Sequence, residues 1–295
     1  MAESFLKIGL VQSKSMGSVE ANLALAESSI EVAAERGARV VCLQELFASA
    51  YFCQEEDEAW FELAEPIPGP TTQAMQRCAR KLGIVLIVPV FEKRAPGVYH
   101  NSAVVIDADG TILGTYRKMH IPDDPGFYEK YYFAPGDLGF KTWTTSAGKI
   151  GVLICWDQWF PEAARLTAMQ GAGILFYPTA IGWLPSEKES LGQAQVASWE
   201  TSMRGHAIAN GCFVAAVNRT GHEAPAGGEG IEFWGQSFVA NPQGEVIASA
   251  GTVEEEVLVV DIDLQQVEAQ RKAWPFFRDR RIDAYEELTK RWTDS

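Results

Sequence analysis

Apolar residues fall along this chain in short unbroken runs, separated by stretches in which they recur at helical spacing. Residues 7–12 (KIGLVQ) form one such run and predict a buried strand. Over 20–36 the apolar positions return every three to four residues, which predicts an amphipathic helix ended by Gly37. Residues 38–44 (ARVVCLQ) are a second buried strand. Pro68-Gly69-Pro70 introduces a helix over 71–82, and 84–90 is a third strand. Segments 99–106 and 111–116 flank Asp109-Gly110, a hairpin signal. After a loop rich in Pro, Gly and Tyr, 149–155 (KIGVLIC) predicts another buried strand. Pro161-Glu162 then opens a helix, and 173–177 is the strand after it. A long helix follows over 187–210, closed by Gly211. Strand-like runs lie at 212–218, 236–240, 245–250 and 256–262.

The order contains an echo. KIGLVQ, a helix and GARVVCL (37–43) are matched by KIGVLIC, a helix and GAGILFY (171–177). Two similar strand–helix–strand halves predict an α/β core of two sheets with helices outside each. No linker-like stretch divides them, so one domain is expected over 1–263. The tail over 264–295 is rich in Trp, Phe and Arg, a composition suited to packing on a partner subunit.

Composition narrows the partners. With 47% hydrophobic and 22% charged residues, the chain has the balance of a globular protein rather than a disordered one. It carries 25 Lys+Arg against 39 Asp+Glu, a net charge of −14, which argues against nucleic acid and anionic membrane surfaces. Neutral or cationic ligands remain. The N-terminus does not read as a signal peptide. The uncharged stretch 166–186 is interrupted by Gly171, Gly173, Pro178, Gly182 and Pro185, a poor membrane helix. The 5 cysteines are odd in number and form no CxxC pair, and the 4 histidines are scattered. No metal site is expected, and the cytoplasm is the default compartment.

Cofactor loops are missing too. There is no GxGxxG after a strand, no GxxxxGK[ST], no HExxH and no GxSxG, so no cofactor is expected. What remains is a set of polar residues at the ends of buried strands. Cys155 ends KIGVLIC and runs into Trp156-Asp157-Gln158. A strand turning tightly into a helix exposes the turn residue, and free backbone N–H groups there can hold an oxyanion. A helix N-terminus also favours thiolate over thiol. Glu45 follows VVCLQ, where a carboxylate is costly unless paired or functional, and it suits a general base. Lys118 ends TYRK. Taken singly, these are a small buried hydrophobe, a strand-end acid turned to water and a surface lysine. Taken together they are a nucleophile, a base and a cation.

At these residues the chain resembles a known family. LQELF around Glu45, YRKMHIP around Lys118 and LICWDQWFPE around Cys155, in that order, are similar to the nitrilase superfamily of carbon–nitrogen hydrolases. The resemblance runs from residue 7 to 262. YFCQ (51–54), GFYEKYYFAPGD (126–137), PTAIGW (178–183) and GHAIANG (205–211) resemble its branch that hydrolyses N-carbamoylputrescine. The resemblance implies a four-layer αββα sandwich and a Glu–Lys–Cys catalytic set. Glu45 would take the thiol proton as Cys155 attacks the carbonyl carbon, and later activate water. Lys118 and the backbone N–H of Trp156 would stabilise the oxyanion. Glu129 matches the family's second glutamate, which positions the lysine and substrate. No metal or cofactor is implied, and a homo-oligomer, dimer or larger, is.

The residues after the nucleophile bear on substrate. Relatives that act on carbamoyl amino acids resemble this chain but carry arginine after the Cys-x-Asp, where it grips a carboxylate. Here those positions are Gln158 and Trp159. Asp123, Asp124 and Glu187 are candidates to hold a terminal ammonium. Tyr51 and Trp183 are candidates to line an apolar channel for a four-carbon chain. The expected reaction is hydrolysis of N-carbamoylputrescine, a small cationic substrate, to putrescine, carbon dioxide and ammonia. One alternative is a superfamily amidase or carbamoylase acting on a neutral or carboxylate-bearing substrate. The nitrile-hydrolysing branch resembles CWE, whereas Asp157 gives CWD. The other alternative is a catalytically silent scaffold, which should have lost at least one of Glu45, Lys118 and Cys155.

Overall fold

Ser18 opens the first helix as its N-cap, its hydroxyl accepting from Ala21 N at 3.2 Å. That helix lies in a computed structural model that describes residues 5–293. Residues 1–4, on which the reading of the N-terminus partly rests, and 294–295 at the end of the tail lie outside the described residues.

Along the chain the elements are β1 (Phe5–Gln12), α1 (Val19–Glu35), β2 (Val40–Leu43), α2 (Pro70–Leu82), β3 (Val85–Ala95), β4 (Val98–Ile106) and β5 (Ile112–Arg117). A one-turn helix α3 (Glu129–Tyr132) separates these from β6 (Thr142–Thr145), β7 (Gly148–Val152), α4 (Pro161–Met169) and β8 (Ile174–Pro178). Next come β9 (Gly182–Trp183), α5 (Pro185–Asn210), β10 (Phe213–Val217), β11 (Thr220–Glu223) and β12 (Ile231–Trp234). The last are β13 (Phe238–Ala240), β14 (Val246–Ser249), β15 (Glu256–Asp263) and α6 (Gln265–Ala273).

One sheet runs β15-β1-β2-β3-β4-β5 and the other β14-β13-β10-β8-β7-β6. The strands of each repeated half pair in parallel, β1 with β2 and β7 with β8. Each crossover is a helix, α1 or α4, so the echo in the sequence is an echo in topology. The strand runs are continuously apolar because these sheets are covered on both faces. Alternation still sorts the faces. Ile8, Leu10, Val40, Cys42, Val85 and Ile87 pack with Ile150, Val152 and Tyr177 of the second sheet. Val41, Leu43, Leu86 and Val88 turn the other way, onto Ile30 and Ala33 of α1 and Met75 and Ala79 of α2. The result is the αββα sandwich.

The structure departs from the sequence reading in several places. The strand expected over 149–155 ends at Val152, and Cys155 begins a separate tight turn over Cys155–Trp159. A third sheet, β11-β12-β9, has no counterpart in that reading. Its strands are two to four residues long and mixed in polarity, so no period shows. The tail starts with α6 on this chain's own core, where Val267 is buried and Arg271 donates to Asn210 O and Ala172 O. Beyond it, Trp274, Ile282, Leu288 and Trp292 are exposed.

Candidate active site

Glu45 stands two residues past β2, fully buried. Leu46 next to it has φ +49°, a strained value for a branched side chain. The buried guanidinium of Arg219, just past β10, holds this bend. It donates through Nη2 to Glu45 O and Leu46 O at 3.2 and 2.7 Å, and through Nη1 to Ser49 O at 3.0 Å. Lys118 directly follows β5 and is also fully buried. Its Nζ donates to Glu45 Oε1 at 2.7 Å and to Glu129 Oε2 at 2.6 Å. Asn101 of β4 donates to Glu45 Oε1 at 2.7 Å and to Glu129 Oε2 at 3.4 Å. Tyr51 OH donates to Glu129 Oε1 at 2.8 Å. Glu45 Oε2 is buried with no hydrogen-bond partner among the described residues.

Two buried carboxylates on one ammonium set the electrostatics. Burial alone would lower the Lys118 pKa, but the carboxylates of Glu129 and Glu45 outweigh it and hold the ammonium well above its usual value. Glu129 is shifted upward, by burial first and by Glu45 against the opposing pull of Lys118. The Cys155 thiol is pushed well up by burial and by the Glu45 carboxylate, against the lowering effect of Lys118. The expectation that a helix N-terminus would favour thiolate is therefore corrected. The burial of the sulfur outweighs whatever the N–H groups of a five-residue turn supply. These surroundings favour the thiol over the thiolate.

Cys155 has φ +41°, so the turn is strained at the sulfur-bearing residue. Asp157, fully buried, braces it. Its Oδ2 accepts from Ile154 N at 3.0 Å and Tyr116 OH at 2.7 Å. Its Oδ1 accepts from His120 N at 3.1 Å and meets His120 Nδ1 at 2.7 Å. Gln158 is buried and faces α5: Trp199 Nε1 donates to its Oε1 at 2.8 Å, and Ser202 Oγ to its carbonyl at 3.0 Å.

A cavity of about 520 Å³ opens beside these groups. Cys155, Trp156, Trp159, Glu129, Asp124 and Glu187 are among its lining residues, which include three carboxylates and neither Lys nor Arg. The structure thus joins Glu45, Lys118, Glu129 and Tyr51 by direct bonds, and sets Glu129, Cys155, Trp156 and Glu187 on one cavity. Asp123 does not join them. It is exposed, and its neighbour Asp124 is the loop acid on the wall. Trp183 is buried behind the wall, donating to Gly192 O at 3.0 Å, and is not a lining residue. Tyr51 backs Glu129 rather than lining the space. Sequence reasoning missed Asn101 and Arg219. A polar residue inside an apolar strand was the available signal for Asn101. Among the described residues no group of three or more His, Cys, Asp or Glu could hold a metal, and no helix is long and apolar enough to cross a membrane.

Residues 7–272 match the family model described as carbon–nitrogen hydrolase. The chain belongs to that family. This carbon–nitrogen hydrolase is 50% identical, over 92% of its length and 90% of the other's, to a protein named N-carbamoylputrescine amidase from Solanum lycopersicum. It is 42% identical to a citrullinase from Francisella tularensis, over 97% of this chain and 99% of that one. Its structure is similar to the crystal structure of a carbon–nitrogen hydrolase from Helicobacter pylori G27, with a TM-score of 0.95 and 48% identity over 98% of this chain and 100% of that one.

Proposed function

We propose that this hydrolase removes the carbamoyl group of N-carbamoylputrescine, giving putrescine, carbon dioxide and ammonia. The observation that carries the reading is the charge of the cavity, where Cys155 shares the wall with Asp124 and Glu187, neither paired with Lys or Arg among the described residues, while the third lining carboxylate, Glu129, is paired with Lys118 behind the wall. That setting suits a substrate with a terminal ammonium and no carboxylate. The name of the tomato relative supports it.

In this reading Glu45, through its free Oε2, takes the thiol proton as Sγ attacks the carbamoyl carbon. Lys118 and the Trp156 backbone N–H stabilise the tetrahedral oxyanion. Glu129, held by Tyr51, keeps Lys118 in place. A C–N bond breaks, Glu45 returns the proton to the leaving nitrogen, and Cys155 is left carbamoylated. Water then gives a proton to Glu45 and attacks. Sγ leaves and regains that proton, and the carbamate breaks down to carbon dioxide and an amine or ammonia. Whichever C–N bond breaks first, one water is consumed and the products are the same.

The test is ammonia release from N-carbamoylputrescine, N-carbamoyl-β-alanine and citrulline under one set of conditions. The diamine derivative should be preferred, and preference for either carboxylate overturns the substrate. Cys155→Ser should abolish turnover and the carbamoyl adduct seen by mass spectrometry. Near-native turnover in that variant overturns the mechanism. A silent scaffold would release no ammonia and form no adduct.

The tail and compartment belong to the same reading. The exposed Trp274, Ile282, Leu288 and Trp292, with Leu166 and Met169 exposed on α4, support the tail packing on a second copy in a homo-oligomer. Truncation after Ala273 should then lower the mass seen by light scattering, and an unchanged mass removes the tail from the interface. Five free, buried cysteines fit a reducing cytoplasmic setting.

A further inference from the structure

Helix α5 lines the cavity with one stripe. Glu187, Leu191, Ala194, Gln195 and Ser198 all line it, at the spacing that keeps residues on one helical face. Glu187 lies in the first turn of α5, where the unpaired N–H groups and the dipole favour a carboxylate. Gln195 Nε2 donates to Glu187 Oε2 at 3.2 Å. A carboxylate accepting that bond fixes the amide's orientation, with its NH2 towards Glu187 and its oxygen away. Gln195 Oε1 is buried and has no hydrogen-bond partner among the described residues. The Glu187 side chain accepts no other bond among them. The pair therefore offers two acceptor oxygens that no donor engages among the described residues, with a negative charge behind them. Leu191 stands beside them with 48% of its surface exposed.

A ligand group that completes this arrangement must bring donors and positive charge. An ammonium, with three donors and no acceptor, does so, whereas a carboxylate would face Glu187 unpaired. We infer that Glu187 and Gln195 form the subsite for the substrate's terminal ammonium, with Leu191 covering part of the methylene chain. The inference rests on the proposed function and says which wall of the cavity reads the diamine end. Asp124 also lines the cavity, but its carboxylate is exposed and makes no side-chain hydrogen bond among the described residues, so solvent screens it.

N-Butylurea tests it, because it keeps the carbamoyl group and the four-carbon chain and lacks only the ammonium. The readout is the ratio of kcat/KM for N-carbamoylputrescine over N-butylurea. Glu187→Gln should lower that ratio by about tenfold to a hundredfold, mainly through KM, as expected for losing a hydrogen bond to a charged group. Gln195→Leu should move it the same way by about tenfold. Asp124→Asn should move it by less than about threefold, the scale of a screened surface charge. A ratio unmoved by Glu187→Gln, or a collapse in Asp124→Asn instead, overturns the subsite while the proposed function stands. A wild-type enzyme with no activity on N-carbamoylputrescine overturns the proposed function and the subsite with it.

Discussion

The Cys155 thiol is held protonated by its surroundings, since burial and the Glu45 carboxylate both push it well up. Reactivity then has to come from proton transfer to Glu45 during attack rather than from a standing thiolate. Glu45→Gln separates the two. The amide oxygen can still accept from Lys118 and Asn101, but the negative charge and the base are gone. A carboxylate beside a thiol disfavours the thiolate, so its removal should shift the thiol's titration downward, with Lys118 still favouring the anion. Alkylation by iodoacetamide, followed against pH, should therefore begin at lower pH in the variant. Turnover should fall by at least about a hundredfold, the usual contribution of a general base. Slower alkylation alongside slower turnover would mean that Glu45 maintains a thiolate at rest. At this scale Glu45 and Cys155 were legible as polar groups closing apolar runs, whereas Lys118, which follows Thr115-Tyr116-Arg117, was legible only together with them and through the family resemblance. Of the neighbouring candidates Asp123 and Asp124 only the second lines the cavity, and no periodicity tells which side chain of a loop turns inward. Arg219 was invisible for a different reason. Glu223, four residues on, pairs with it, but the partners that tie it to the site are the carbonyls of Glu45, Leu46 and Ser49, 170 or more positions away, and backbone acceptors leave no sequence pattern.

At the scale of elements, the turn over Cys155–Trp159 joins β7 to α4, and Asp157 stabilises it from beneath. An asparagine there keeps the shape but has one acceptor oxygen where the aspartate has two. Either the Ile154 N–H with the Tyr116 hydroxyl, or the His120 N–H, would then face an NH2 group. A buried donor left unpaired costs about 1–3 kcal/mol. Asp157→Asn should show that loss in urea unfolding. Where the variant is still folded, its kcat should drop about tenfold or more with KM little changed, because the strained φ at Cys155 relaxes and the sulfur moves. Full kcat in the folded variant would remove Asp157 from any part in aiming the nucleophile. This turn also marks the limit of pattern reading. Strand, helix and their order were legible in KIGVLIC and Pro161-Glu162, through hydrophobic period and proline. The break at Val152 was not, because Leu153, Ile154 and Cys155 are as apolar as the strand before them and stay buried. Likewise β9, β11 and β12 are too short to carry a period, yet β9 contributes Gly182 and β12 Trp234 to the cavity wall.

At the scale of the whole molecule, the two halves of the echo supply different parts of one site. Glu45 and Lys118 follow strands of the first sheet and Cys155 follows a strand of the second, so the set exists only when the sheets pack. The net charge of −14 acts at this scale as well. A cationic substrate approaching an acidic molecule is gathered by its field, and salt screens that field over a Debye length of about 8 Å at physiological ionic strength. Raising salt from about 20 mM to about 500 mM should lower kcat/KM for N-carbamoylputrescine by roughly threefold to tenfold while kcat holds. N-Butylurea, being neutral, should show a flat profile, and an equal decline for both would mean that salt acts on the protein rather than on the encounter. Glu187→Gln removes one charge of the 39 acidic residues, so it should lower the overall rate yet keep most of the salt slope. A slope that vanished in that variant would place the attraction in the subsite and leave the overall charge with solubility alone.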